Sequence, residues 1–365
     1  MSQLLRDCLV TLRMSLGAFV RLNLNRWRGR EFVPHPRTML FIEPVTHCNL
    51  GCKFCTYRLH RRPDAVMSQE CFADVVNQAA AMGFDRIVLT PINGDIFVDK
   101  GIGAKLALLE HHPGIVGVQA YSNFIAASPQ AIDDLLAMER LELFNISVYG
   151  HDPASFTAIA DRGEGQYQRL VANLDRLAER LLTARRPKAF QVSIRAGRDF
   201  DLDRAPSSAL VMALRRLRDL GVAVSLQSCC DDWGGLIGSE DMRGLDMDLV
   251  RGRLLYKKGA CILPFYSVQV LADGRVNACA CRDIDGQLQI GDLRRTPLAD
   301  ILSDRNPVYM GLIREQQAGR FRSVCRGCSF YRSIHDPAIR DASPKGSWSL
   351  RQFKEFLASG GPPRA

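Results

Sequence analysis

A curved, open α/β sheet of six parallel strands is what this 365-residue chain predicts, and three observations carry that expectation. From Thr38 to Gln227, short apolar runs alternate with amphipathic stretches. One helix-like stretch separates each run from the next, which implies right-handed parallel crossovers. The count of such units is six, short of the eight that close a (β/α)8 barrel.

Taken in order, residues 38–44 (TMLFIEP) read as a buried strand. Ser68 caps a helix that runs to Met82, and Gly83 is its stop signal. Residues 86–91 form a second strand and 104–111 its helix; 117–121 and 132–138 form a third pair. A fourth strand, 142–147, leads to a long helix from Tyr167 to Arg185. Residues 190–195 and 207–220 make a fifth pair, and 223–227 a sixth strand. Ligands of parallel sheets collect beyond the carboxyl ends of the strands, so those ends are where a site is expected.

Hydrophobic residues make up 47% of the chain, enough for one large domain with or without a small one. Twelve cysteines without a signal peptide read as metal ligands in a reducing compartment, which predicts a cytoplasmic protein and not a disulfide framework. The net charge of +9 favours anionic partners. Its 48 basic residues are scattered among 39 acidic ones with no basic-aromatic stripe, which argues against nucleic acid. No window reaches the ~18 apolar residues of a membrane span. At the N-terminus Leu4, Leu5, Leu9, Leu12, Leu16, Phe19, Val20 and Leu24 recur at helical spacing, interleaved with Arg6, Arg13, Arg21 and Arg26. Such a helix could touch an anionic membrane peripherally; the expected arrangement is that it packs against its own domain. A linker near Pro34 and Pro36 follows it.

The densest chemical signal is the run from Glu43 to Cys55 (EPVTHCNLGCKFC), with Cys48, Cys52 and Cys55 spaced by three residues and then two. Three thiolates on a [4Fe–4S] cluster leave one iron without a protein ligand, open to a small chelating molecule. Zinc would need a nearby fourth ligand. His47 adjoins Cys48 and is awkward for closing a tetrahedron; His60 sits in the basic segment 58–62.

This spacing, with Phe54 just before the last cysteine, resembles that of the radical S-adenosylmethionine (SAM) family. The resemblance implies a partial (β/α)6 TIM-type barrel whose cluster binds the amino and carboxylate groups of SAM. It also implies reductive cleavage to methionine and a 5′-deoxyadenosyl radical that abstracts hydrogen, fed by a flavodoxin- or ferredoxin-type reductant. Ile92-Asn93-Gly94-Asp95 falls where the family carries a Gly-Gly-Glu-type turn holding the SAM amino group, although Asn93 and Asp95 depart from that pattern. Read without the resemblance it is an Asn-Gly turn. Ser122 and Asn123 resemble the polar pair near the SAM ribose. Ser147 resembles the serine that faces SAM, and Arg162 the arginine that approaches its carboxylate, with Arg195 a second candidate for that task.

The C-terminal third has its own cysteines. Residues 265–271 read as a strand, Asp273-Gly274 as a turn, and 276–279 as the returning strand of a hairpin. Cys261, Cys279 five residues after Gly274, and the Cys325/Cys328 pair resemble a SPASM/twitch extension, as do 290–293 and 231–235. The resemblance implies one auxiliary [4Fe–4S] cluster on Cys261, Cys279, Cys325 and Cys328; four thiolates also suit zinc. Cys281 shares a face with Cys279 if the strand is extended, so it could replace a ligand or point into the active site. Cys229 and Cys230 lie near the same mouth. A thiol there could give a hydrogen atom to a substrate radical, or be ordinary buried packing.

The expected organisation is an N-terminal helix and linker (1–35), a radical SAM barrel (36–235), an auxiliary-cluster domain with a β-hairpin and helix (236–335) and a tail with a short helix (336–365). The expected activity is hydrogen abstraction followed by oxidation of a small-molecule or sugar-type substrate, with the auxiliary cluster taking an electron. Asp232, Asp283, Asp285 and Tyr149 are candidate bases and Cys281 a candidate hydrogen donor. Maturation or epimerisation of a peptide is the alternative, and a non-catalytic iron–sulfur or zinc protein the alternative from another class.

Overall fold

The computed structural model describes residues 3–92, 94–184, 189–340 and 346–359. Asn93 and Arg185, both named above, lie outside the described residues. The chain opens with α1 (Gln3–Trp27), β1 (Val33–Pro34) and β2 (Leu40–Ile42). There follow α2 (Gln69–Ala81), β3 (Arg86–Leu89), α3 (Ile102–His111), β4 (Gly117–Ser122), α4 (Pro129–Ala137) and β5 (Leu141–Tyr149). Next come α5 (Pro153–Ala160), α6 (Glu164–Ala184), β6 (Phe190–Arg195), α7 (Ala209–Asp219) and β7 (Ala223–Gln227). All six strands expected from the sequence form, and each pairs in parallel with the next.

Local chemistry sets these boundaries. Ser68, Ser128 and Ser208 each accept a backbone N–H at a helix start, an interaction worth about 1 kcal/mol apiece. Gly83, at φ +86°, ends the turn after α2. β3 reads Arg-Ile-Val-Leu and buries its last three residues, as a strand covered on both faces should. Phe97, Phe124, Phe144 and Phe190 continue the core as a chain of rings whose centroids lie 5.7–6.1 Å apart. The short helix α5 was not foreseen, although Asp152 and Ser155 form its capping box.

Beyond the barrel, β8 (Cys229–Asp231) and β9 (Asp248–Val250) make a separate parallel pair. Then come α8 (Leu263–Tyr266), β10 (Gln269–Val270), β11 (Arg275–Asn277), β12 (Gln289–Asp292), α9 (Leu298–Ile301), α10 (Pro307–Gln317) and α11 (Ser323–Gly327). β13 (Ser347–Trp348) and α12 (Leu350–Ala358) follow.

Two expectations are corrected here. The strand predicted over 265–271 is a helical turn followed by a two-residue strand, because Pro264, whose fixed φ suits the first turn of a helix, sits in that turn. Tyr309 secures it by donating to the Pro264 carbonyl at 2.7 Å. The predicted hairpin forms as β10 and β11 and joins the barrel sheet: β10 pairs parallel with β2, giving the order β12-β11-β10-β2-β3-β4-β5-β6-β7. Finally, part of the expected linker is a strand, since Val33 and Pro34 pair with Trp348 and Ser347.

The largest correction concerns α1. It does lie on its own domain, but the apolar residues named above are not the ones it buries. Asp7, Thr11, Leu22 and Asn25 are its buried positions, whereas Leu4, Leu9, Leu12, Leu16, Phe19 and Val20 are exposed.

Candidate functional site

The segment after β2 is held before it reaches the first cysteine. Glu43 is fully buried and accepts two hydrogen bonds from Arg62, at 2.6 and 2.7 Å. Arg62 also donates to the Ile284 carbonyl at 2.8 Å, and Ala272 N donates to Glu43 at 3.3 Å, so one ion pair ties the barrel to the C-terminal hairpin. The loop then turns against α5: Gly51 N and Lys53 N donate to the Ala160 and Ile159 carbonyls at 3.1 and 3.0 Å.

Cys48, Cys52 and Cys55 open from this loop into one cavity of about 900 Å³, counting its open mouth. Strand ends supply the remaining walls, with Gly94 and Asp95 after β3, Ser122 and Asn123 ending and following β4, Ser147 and Tyr149 on β5, and Arg195 ending β6. Asp231, Trp233 and Arg282 close the side toward the C-terminal extension. Burial pushes all three thiols up, Cys48 to about 12, and the charges of Cys48 and Cys55 raise Cys52 further. Such thiols become thiolates only when something cationic is bound among them.

Among the described residues, no three Cys, His, Asp or Glu side chains converge tightly enough to hold a single metal ion. A mononuclear zinc site sets its sulfurs about 2.3 Å from one ion. In a cubane each thiolate has its own iron, and the donors stand wider apart. Three thiols without a carboxylate ligand therefore suit an iron–sulfur cluster. His47 bonds to Tyr57 at 2.9 Å, and neither it nor His60 lines the cavity.

The sequence-predicted residues divide into wall and frame. Gly94 is required by its neighbours, because a Cβ there would sit 2.4 Å from the Val45 carbonyl oxygen and 3.0 Å from that of His47. Asp95 N donates to the same His47 carbonyl at 2.9 Å, which locks the turn to the cysteine loop. The Asp95 carboxylate accepts from Ser122 Oγ at 2.9 Å, Asn123 N at 2.6 Å and Phe97 N at 3.1 Å. Burial raises its pKa and these bonds oppose the rise. Asn123 in turn donates to Asn49 at 2.8 Å and approaches Cys48 Sγ at 3.8 Å.

The two candidate arginines exchange places. Arg162 does not line the cavity; it donates to the Asn49 carbonyl at 3.0 Å and braces the cysteine loop from outside. Arg195 does line it, stacks 4.7 Å above the ring of Phe54, and has an Nε with no hydrogen-bond partner within the protein. Its charge opposes the rise of both Cys52 and Cys55.

The candidate bases fare unevenly. Tyr149 lies in the cavity 5.1 Å from Phe54, and burial holds its phenol well above the usual range. Asp232 is occupied with the backbone N–H groups of Gly234 and Gly252, and Asp283 with those of Gln287 and Leu288; neither lines the cavity. Asp285 caps Arg61 N. Besides Asp95, the carboxylate that faces the cavity is Asp231, which was not among the candidate bases. Arg282 grips it at 2.5 and 2.9 Å while lying 4.2 Å from the ring of Trp233 and 4.6 Å from that of Phe330. Trp233 donates to the Phe54 carbonyl at 3.0 Å, so the cysteine loop is bonded to the chain entering the extension.

Behind this wall, Cys261, Cys279, Cys281, Cys325 and Cys328 gather. Burial raises each, and a charge on Cys261, Cys281 or Cys328 raises Cys279 further. Cys261 N donates to Gln316 Oε1 at 2.8 Å, and Gln316 Nε2 reaches Cys325 Sγ at 3.5 Å, which joins the Cys261 backbone to the Cys325 thiol through α10. Cys281 is distinguished by Arg282, which approaches its sulfur at 3.4 Å. Cys230 lines the first cavity, while Cys229 is exposed.

Comparison with known proteins follows the same division. Residues 261–329 match the SPASM family model, an iron-sulfur cluster-binding domain. Lipoyl synthase, mitochondrial, of Danio rerio is 27% identical over 205 residues, 54% of this chain and 46% of that protein. Lipoyl synthase 1, mitochondrial, of Trypanosoma cruzi is 30% identical over 111 residues, 29% and 24% of the two chains. The chain thus spans about half or less of the length of the curated relatives it matches. Among solved structures, SuiB of Streptococcus suis bound to precursor peptide SuiA aligns at a TM-score of 0.54 with 13% identity, covering 90% of this chain and 77% of that one. BtrN in complex with AdoMet and 2-DOIA aligns at 0.50 with 13% identity, covering 81% and 94%. These likenesses are of fold.

Proposed function

We propose, for a chain that belongs to the radical SAM superfamily and carries a C-terminal SPASM/twitch-type domain, that it cleaves SAM reductively and oxidises a small-molecule or sugar-type substrate. The observation that carries this reading is the opening of Cys48, Cys52 and Cys55 into a cavity shared with Gly94, Ser147, Tyr149 and Arg195. A [4Fe–4S] cluster on those thiolates supplies, when bound, the electron that splits the sulfonium and so yields the hydrogen-abstracting 5′-deoxyadenosyl radical. Arg195 provides the fixed positive charge for the SAM carboxylate, with Phe54 behind its guanidinium. Asp95 acts through Ser122 and Asn123, holding the ends of two strands at one height under the ligand.

Cys261, Cys279, Cys325 and Cys328 would hold an auxiliary cluster, whose chemistry is to take up the electron left when the substrate also loses a proton. Asp231, which lines the cavity where Asp232 and Asp283 do not, is the carboxylate assigned to receive that proton. A small substrate is favoured by the closed side of the cavity, where Trp233, Arg282 and Phe330 stack. A peptide substrate is the second reading, favoured by the fold shared with the peptide-bound SuiB.

The test is anaerobic reconstitution followed by iron analysis and SAM cleavage under strong reduction. Two full clusters give close to eight irons per chain, and replacement of Cys48, Cys52 and Cys55 by Ala removes about four irons and all 5′-deoxyadenosine formation. Retention of cleavage in that variant would end the proposal. Deuterium transfer from a labelled sugar or peptide into 5′-deoxyadenosine separates the two readings.

A further inference from the structure

The first helix is amphipathic in the reverse of the usual sense. Its inner side is polar and bonded. Asp7 Oδ1 accepts from Leu249 N at 3.1 Å, Thr11 Oγ1 accepts from Arg251 N at 3.1 Å, and Ser15 Oγ accepts from Tyr256 N at 2.9 Å. Near its end Arg21 pairs with Asp336 through two bonds of 2.9 and 3.0 Å. The first three bonds follow β9 and the chain just beyond it, the Arg21–Asp336 pair lies elsewhere, and together they fix the rotation of the helix about its axis.

With 3.6 residues per turn, the side opposite Asp7 and Thr11 carries Leu9, Leu12, Leu16, Val20 and Trp27. They are 50, 47, 71, 66 and 82% exposed. Single exposed leucines are ordinary. A row along a helix of 25 residues is a continuous apolar stripe. Leu254, on the turn Gly252–Leu254 that packs beside α1, is exposed as well.

The charge around the stripe says what covers it. Between residues 3 and 30 the one carboxylate is Asp7, which is fully buried, whereas Arg6, Arg13, Arg21, Arg26, Arg28 and Arg30 are present. Arg13, Arg26, Arg28 and Arg30 are exposed, and Arg13 flanks the stripe. A second copy of this helix packed face to face would set these cations against one another with no acid to answer them. Among the described residues, no helix is long and apolar enough to cross a membrane.

We propose that the outer face of α1 docks on the surface of an anionic lipid bilayer, lying parallel to it. The leucines and Trp27 enter the boundary between headgroups and acyl chains, and the arginines meet the lipid phosphates. The polar inner seam is what keeps the helix on the protein while its apolar side is given to the lipid. The inference stands apart from the reaction proposed above.

Flotation of the full, reconstituted chain with vesicles tests it. Binding to mixed phosphatidylglycerol–phosphatidylcholine vesicles is expected, at least about tenfold stronger than to phosphatidylcholine alone and weakened by salt. Leu9→Glu with Leu16→Glu abolishes flotation, and Arg13→Glu with Arg26→Glu weakens it severalfold. These side chains are exposed, so melting temperature and SAM cleavage stay at wild-type values. Vesicles also shift the emission of Trp27 to the blue, a shift missing in Trp27→Phe. No flotation with anionic vesicles, flotation indifferent to the leucine substitutions, or a solution dimer that those substitutions dissolve would each overturn the proposal.

Discussion

Arg195 stands 4.7 Å over the ring of Phe54, the residue that precedes the third cysteine of the loop. Its guanidinium is thereby fixed beside Cys52 and Cys55, with its Nε unbonded by protein. Arg162, which the sequence offers more readily, lies outside the cavity on the carbonyl of Asn49.

The first prediction separates these arginines. Arg195→Lys keeps the charge but loses the planar stack, and is expected to weaken SAM binding at least about tenfold at unchanged iron content. Arg162→Ala frees the loop from its brace, and is expected to lower iron content while the fraction that retains the cluster binds SAM as the wild type does. Equilibrium dialysis with iron analysis on both variants checks this.

Glu43 and Arg62 supply the second. Both side chains are at most 4% exposed, and they face each other through two short bonds. Removing one charge strands the other, so Glu43→Gln is expected to cost about 3–5 kcal/mol. Replacing both with apolar residues of similar volume is expected to cost much less. Denaturant melts of the two variants in matched cluster states decide between these outcomes.

Gly94 gives the third. Its missing Cβ leaves room for two backbone carbonyls, neither the end of a flexible side chain. Gly94→Ala is expected to push the β3 turn away from the cysteine loop, cost about 1–3 kcal/mol, and reduce SAM cleavage by more than its loss of stability explains. Cleavage rate measured against folded fraction checks it.

The fourth concerns the fifth thiol. Cys281 gathers with the auxiliary cysteines but is approached by Arg282, a residue of the cavity wall. Cys281→Ala is expected to retain the full iron content and to lose substrate turnover. Cys325→Ala, whose thiol sits on Gln316, is expected to lose about half of the iron. Iron analysis beside product formation distinguishes the two cysteines.

The repeating βα units and the three-cysteine loop were legible because they are local. A strand that is buried on both faces writes an apolar run, and Ser68 and Gly83 mark the ends of α2 within the sequence itself. Cavity-lining positions at the ends of β3, β4 and β5 followed from the same order. What failed was anything set by partners distant in the chain. The run 265–271 looks like one strand, yet Pro264 and the hydroxyl of Tyr309, forty-five residues away, make its start helical. Asp231 and Asp232 are neighbours of identical composition, and only the closing of the β8–β9 pair turns one toward Arg282 and the other toward Gly252.

By itself, then, the sequence determined which residues could ligate iron, how many strands would stand beside them and that a second thiol set would follow. The tertiary structure alone decided that Arg195, not Arg162, faces the cavity, that the C-terminal hairpin extends the barrel sheet through β10 and β2, and that α1 turns its leucines outward. The reason is common to all three. Periodicity records which side chains share a face, but the direction of that face is chosen by hydrogen-bond partners hundreds of residues away, such as the backbone of Leu249 waiting for Asp7.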